Sequence, residues 1–482
     1  MVFSSPIFLF LFLPILLAVF GFTLLCSRKH SLQLQNRLLL LASLLFYAWG
    51  EGIYLLLMIG SIVFNHYLAL VIQKNLDTKK AQQILTFGVL ANLCTIALYK
   101  YGSFIVENVN LLLTSLQLDQ LPIPAFHLPL GISFFTFQAI SYLVDVYRRD
   151  AKAQTKLSET ALYISLFPQL IAGPIVRFKE IAPQFKNRVI SVEQFALGAK
   201  RFIYGLAKKV LIANTLAVYV DYAFALQPEH LTSSIAWFTA ISYSLQIYFD
   251  FSGYSDMAIG LGQMFGFRLP ENFQYPYTAR SVREFWQKWH ISLSNWFRDY
   301  VYIPLGGNRK SPLRIYLNLC IVFFLCGLWH GAQWSFVAWG LLHGLFLVLE
   351  RTKLGKRIQK CSPNILQHIY TILIVALAWV LFRAETFSAA LLFYKRVFFF
   401  SHLFDQEAAP NAALVTVQTG MFYCAFITGI FLSMPLYQKI TKNIKSNLLT
   451  NLVSLLFPFI LFLLSACSLA SNTYNPFIYF RF

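Results

Sequence analysis

Residues 315–349 read IYLNLCIVFFLCGLWHGAQWSFVAWGLLHGLFLVL, a run of 35 residues without one Asp, Glu, Lys or Arg. About 20 apolar residues cross the roughly 30 Å hydrocarbon core of a bilayer. This run therefore asks for a membrane, and its length reads as two spans or one broken helix. The whole chain agrees. Of its 482 residues 57% are hydrophobic, 17% aromatic and only 12% charged, whereas an average soluble domain carries about 25% charge. So few charges cannot solvate the surface of a globule that apolar. Disorder, collagen-like repeats and a secreted disulfide scaffold are excluded by the same figures.

Further apolar stretches fall near 6–26, 36–50, 52–73, 83–99, 129–147, 159–175, 195–225, 232–262, 366–382, 412–436 and 448–469. Together they predict an all-α polytopic membrane protein with about 10–13 spans. The first run has no basic residue before Arg28, exceeds a signal-peptide h-region and shows no small-residue cleavage site, so it reads as a retained span. No linker, low-complexity segment or 20–50-residue repeat interrupts the chain. One integral membrane domain over 1–482 is expected, with its chemistry concentrated between about 129 and 344.

The net charge of +19 gathers between the apolar runs. Basic clusters lie at 28–37, 74–80 and 148–156, while the intervening loops carry few cations. That alternation follows the positive-inside rule and anionic headgroups, and calls for no nucleic acid. It places the N-terminus outside and the loops at 28–37, 74–80, 148–156, 351–360 and 439–445 in the cytoplasm. The seven cysteines contain no C-x-x-C pair, which argues against a metal knuckle.

Polar residues at membrane depth are the candidates for chemistry. Asp250 and Asp256 stand in ISYSLQIYFDFSGYSDMAIG (241–260), and for each the bland reading is a carboxylate paired with a cation or capping a broken helix. Between Arg268 and Arg314 eight Lys/Arg face three acids, interleaved with Trp286, Trp289, Trp296, Tyr300 and Tyr302. Two readings stand open for this belt: an interfacial, headgroup-bound element, or a seat for an anionic cosubstrate such as coenzyme A. His290 lies inside it.

His330 is the sharpest feature, flanked by Gly327 and Gly331 and bracketed by Trp329 and Trp334. A neutral imidazole there offers a nitrogen lone pair as general base, and the glycines permit a close approach by backbone or ligand. The alternative is a satisfied core histidine. His343 stands 13 residues on, about 220° round a continuous helix, and so points elsewhere. No phosphate-binding G-x-x-x-x-G-K-[ST] loop, G-x-S-x-G elbow or H-E-x-x-H zinc helix is present.

Five stretches carry a resemblance: PLGISFFTFQAISYLVDVYR (129–148), FPQLIAGPIVRF (167–178), IYFDFSGYSDMAIGLGQMFGFRLPENFQYPY (247–277), REFWQKWHISLSNWFRDYVYIPLGG (283–307) and GLWHGAQWSFVAWGLLHG (327–344). They resemble the membrane-bound O-acyltransferase (MBOAT) family, in particular its bacterial branch of alginate O-acetylases, peptidoglycan O-acetylases and teichoic acid D-alanyl transferases. The last residues, YNPFIYFRF (474–482), look like the alginate branch. The resemblance implies a ring of helices around a central funnel, with re-entrant or interfacial helices. It maps the family's essential histidine onto His330 and its second polar position onto His290. It further implies no bound cofactor or metal, acetyl-coenzyme A as the cytoplasmic donor, and periplasmic acetyltransferase partner proteins of a polysaccharide-modifying complex in the bacterial inner membrane. The acceptor is expected to be alginate, with peptidoglycan or another cell-surface glycan as the alternative. A transporter using Asp250, Asp256 and His330 as a path is the competing class. Its usual inverted repeat is missing, because the polar anomalies crowd into one segment.

Overall fold

The structure, a computed structural model, describes residues 1–25, 28–124, 126–227, 230–398, 412–436, 448–471 and 474–478. The basic segment 439–445, expected in the cytoplasm, lies outside the described residues, as do the last four residues of the C-terminal motif. Among the described residues the chain is helical, without strands. It is an all-α, multi-pass membrane protein. Among the described residues six helices are long and apolar enough to cross a bilayer: Tyr54–Lys74, Lys79–Ser115, Val192–Phe224, Pro312–His330, Asn364–Arg383 and Leu452–Ser471. Large apolar side chains such as Phe22, Ile53, Leu111 and Leu313 stand mostly exposed, an arrangement that suits lipid and not water.

Contacts divide the chain into two compact units, Met1–Ala199 with Ala258–Pro270, and Lys200–Met257 with Glu271–Phe482. In the first unit, helices α1 (Leu55–Lys74), α2 (Lys79–Ser115) and α3 (Ile132–Tyr147) pack together. Lipid offers no partner for an amide, so Asn65 and Asn92 satisfy each other across α1 and α2, at 3.2 and 2.8 Å. His66 does likewise with Thr160 at 2.9 Å. Thr78 caps α2, which then runs well past the apolar stretch at 83–99 to Ser115. The stretch 159–175, expected to be a span, is instead broken: Leu157–Ser165 ends at Leu166 (ψ 109°), and a new turn starts with Phe167-Pro168.

In the second unit the uncharged run 315–349 folds as a broken helix. Pro312 opens α4 (Pro312–His330), Gly331–Gln333 interrupt it, and α5 (Trp334–Arg351) turns back against it. Glycines make this approach possible. A Cβ on Gly340 would lie 2.2 Å from the Phe323 carbonyl oxygen, and one on Gly327 would lie 2.4 Å from that of Phe336. Space beside Gly331 is filled by the Phe336 ring. These glycines thus permit the close approach of backbone and ring within the helix hairpin. α6 (Asn364–Arg383) packs on α5.

Gly340→Ala should therefore lower the unfolding free energy in detergent by about 1–3 kcal/mol through overpacking. Gly60→Ala, where nothing lies within 4 Å of the added carbon, should be neutral. Equal thermal midpoints for the two variants would contradict this account of the hairpin.

Candidate active site

Every residue of the candidate site belongs to the second unit. Two seven-residue helices prepare it. Ser281 caps α7 (Val282–Lys288), and the Glu350 carboxylate accepts from the Val282 and Arg283 amides at 2.7 and 3.1 Å. The first-turn donors are thereby satisfied, and Trp286 and Trp289 are turned inward. Trp286, Trp289 and Trp296 are all buried. The belt's tryptophans are thus core residues and not the interfacial anchors that their spacing suggested.

His290 precedes α8 (Ile291–Phe297) in a left-handed conformation (φ 43°) and is fully buried. Such backbone is costly for a non-glycine residue and persists only when its surroundings enforce it. Asn272 does so: its Oδ1 receives the Ser292 amide at 3.2 Å, the Ser292 hydroxyl at 2.9 Å and His290 Nδ1 at 3.1 Å. The Ser292 N–H can only donate, so the Asn272 atom facing it is oxygen. His290 Nδ1 therefore carries the proton and the lone pair sits on Nε2. Neither α7 nor α8 is long enough to span a membrane, and burial between them pushes the His290 imidazole down to about 3.

His330 ends α4 and is buried. Its ring meets Trp339 at 5.0 Å (86°) and Phe382 at 5.1 Å (75°), both edge to face. Trp329 lies 4.9 Å from His330 and 6.0 Å from His290. Both predicted histidines are thus brought into one aromatic cluster. His343 joins it, against the helical-angle expectation, because the chain breaks at Gly331–Gln333. Its ring stands 5.0 Å from Trp339 and 5.3 Å from Trp286. Sequence reasoning missed Trp339, Phe382 and Asn272 as well; the spacing of Trp329, Trp334 and Trp339 was the available signal.

Trp286, His343, Trp339, His330 and Phe382 form a continuous aromatic septum, with a cavity at each end. At the Trp286 end, a cavity of about 310 Å³ is lined by Arg283, Asn295, Arg298, Phe323 and Cys326. Another of about 480 Å³ shares Arg283 and adds Glu350, Arg351 and Lys356. Arg309 and Lys310 line neither. At the Phe382 end, a cavity of about 420 Å³ is lined by Gln246, Gln333, Arg383, Glu385 and Ile478 among others. α6 joins the two ends. Arg280 binds Asn364 at its start (3.1 Å) and Arg383 binds Asp221 at its finish (2.6 Å), about 30 Å apart along 20 helical residues.

The two membrane-depth aspartates take the paired reading. Asp250 meets Lys209 at 2.7 Å, both almost wholly buried. Asp256 meets Arg201 at 2.8 Å and Lys208 at 2.6 Å. Among the described residues no group of His, Cys, Asp and Glu could hold a metal ion.

Residues 5–382 match the model of "MBOAT, membrane-bound O-acyltransferase family". The chain is 44% identical over 435 residues to "Probable alginate O-acetylase AlgI" of Pseudomonas aeruginosa, covering 90% of this chain and 82% of that protein. It is 41% identical over 496 residues to the protein of the same name in Pseudomonas putida, spanning all of both chains. Over 420 residues it is 40% identical to "Peptidoglycan O-acetyltransferase" of Helicobacter pylori, covering 81% and 78%.

The low His290 value makes a pH prediction. Its folded-state pKa lies below the ordinary 6.5, so protonation favours the unfolded chain. The resulting loss of stability starts as pH falls through about 6.5 and grows until about 3. Between pH 7 and pH 5, wild type should lose about 2 kcal/mol more than His290→Gln. Parallel stability curves in thermal unfolding would contradict the assignment.

Proposed function

The chain belongs to the membrane-bound O-acyltransferase family, and on that premise we propose that it moves acetyl groups from a cytoplasmic donor onto alginate outside the bacterial inner membrane. It is an acyltransferase by family. The observation that carries the finer reading is the aromatic septum, with His330 one ring in from its Phe382 end and cavities at both ends. The cavity at the Trp286 end neighbours the basic stretch 351–360, which the positive-inside rule puts in the cytoplasm. Arg283 and Arg298 of that cavity, with Arg351 and Lys356 of the adjoining one, suit the phosphates of acetyl-coenzyme A. The cavity at the Phe382 end then opens outward and receives the acceptor hydroxyl. Relatives aligned with the whole chain carry alginate in their names, which favours a uronate acceptor over peptidoglycan. Periplasmic acetyltransferase partners would accept or relay the group on that side.

His330 is the general base. The thioester arm has to pass Trp286, His343 and Trp339 to reach His330 from the donor cavity; there, as the acceptor oxygen bonds to the thioester carbonyl carbon, the imidazole takes the hydroxyl proton. The carbon–sulfur bond then breaks, and the thiolate recovers the proton from the imidazolium. Trp339 and Phe382 exclude water from this step, protecting the thioester from hydrolysis. His290, locked by Asn272 with its lone pair on Nε2, positions the site through Trp329.

Purified His330→Ala should lose about 10²–10⁴-fold in acetyl transfer with its thermal midpoint retained, and His290→Ala should lose less. A folded His330→Ala protein with near-normal turnover would overturn the role of His330.

A further inference from the structure

Residues Tyr474–Ile478 are tied down one after another. The Tyr474 hydroxyl donates to Asp221, the same carboxylate that holds Arg383. Asn475 Oδ1 accepts from Asn214 at 3.0 Å, and the Pro476 carbonyl accepts from Lys209 Nζ. The Phe477 ring lies 4.6 Å from Tyr254, and the Ile478 amide donates to Asp250 Oδ2 at 2.9 Å. The centre of this arrangement is the Lys209–Asp250 pair at 2.7 Å, each side chain about 2% exposed.

A buried ion pair persists only if its remaining hydrogen-bonding capacity is met. Here Lys209 spends its capacity on Asn214 and the Pro476 carbonyl, and Asp250 on the Ile478 amide. Lys209 sits in a π-helical turn, Lys208–Ala213, a local unwinding that recurs at functional sites. The pair therefore grips the segment by its backbone. Side chains 476–478 are left to shape what they face, which is the 420 Å³ cavity whose Phe382 wall touches His330.

We propose that Tyr474–Ile478, clamped by Lys209 and Asp250, forms a wall of the acceptor cavity, and that Ile478 is a specificity-determining residue for the hydroxyl-bearing acceptor. This rests on the reading of that cavity as the outward one. Trimming Ile478 leaves the backbone clamp intact and changes only the shape presented to the acceptor.

Two measurements test it. With acetyl-coenzyme A and mannuronate oligosaccharides, Ile478→Ala should raise the acceptor KM about tenfold, leaving the donor KM and kcat within about twofold, and Ile478→Val should restore it. A merely structural role would lower the thermal midpoint and leave that split unmoved; an unchanged acceptor KM in folded protein overturns the proposal. In a cysteine-free background, Ile478→Cys should react with a small membrane-impermeant thiol reagent from the outer side, and Tyr254→Cys, behind the segment, should not. Absence of labelling at 478, or labelling only from the cytoplasmic side, overturns it too. If wild type consumes donor but acetylates no oligosaccharide, the alginate reading fails, and the labelling decides the wall by itself.

Discussion

Inside a bilayer no water compensates a buried imidazole, amide or carboxylate, so each such group must find its partner within the protein. The second unit is organised by that constraint. Asp250 has Lys209, and Asp256 has Arg201 and Lys208. His343 is an exception among the described residues: neither of its buried ring nitrogens has a hydrogen-bond partner, and its ring, like that of His330, packs 5.0 Å from Trp339. Glycines 327 and 340 then allow α4 and α5 to close on one another and hold those rings in register.

The same septum that satisfies the packing separates two chemistries. One end gathers guanidinium and ammonium groups. The other presents amides, Arg383 with its Asp221 partner, and the anchored segment 474–478. Two cavities of different polarity thus lie on either side of a ring series that holds two imidazoles, His330 and His343.

Membrane character was legible from composition, and the burial of His330 from its setting in an uncharged run. Helix lengths were less so. Caps and prolines, not the edge of the apolar stretch, decide where a helix ends, which is why Lys79–Ser115 overshoots 83–99 and Pro168 divides 159–175. His343 was misplaced because the 13-residue angle assumes an unbroken helix, and the Gly331–Gln333 break invalidates it. The belt's tryptophans read as interfacial because spacing does not reveal that α7 folds inward. None of the three cavities was legible: Gln246, Gln333, Arg383 and Ile478, for example, meet only through tertiary packing.

Sidedness of transfer tests the central claim most directly. In proteoliposomes with uniformly oriented protein, acetyl-labelled coenzyme A is supplied on the cytoplasmic face and mannuronate oligosaccharide is confined to the opposite side. The septum predicts labelled oligosaccharide with no passage of donor or free acetate across the bilayer. Transfer that occurs only when donor and acceptor share one side would contradict it.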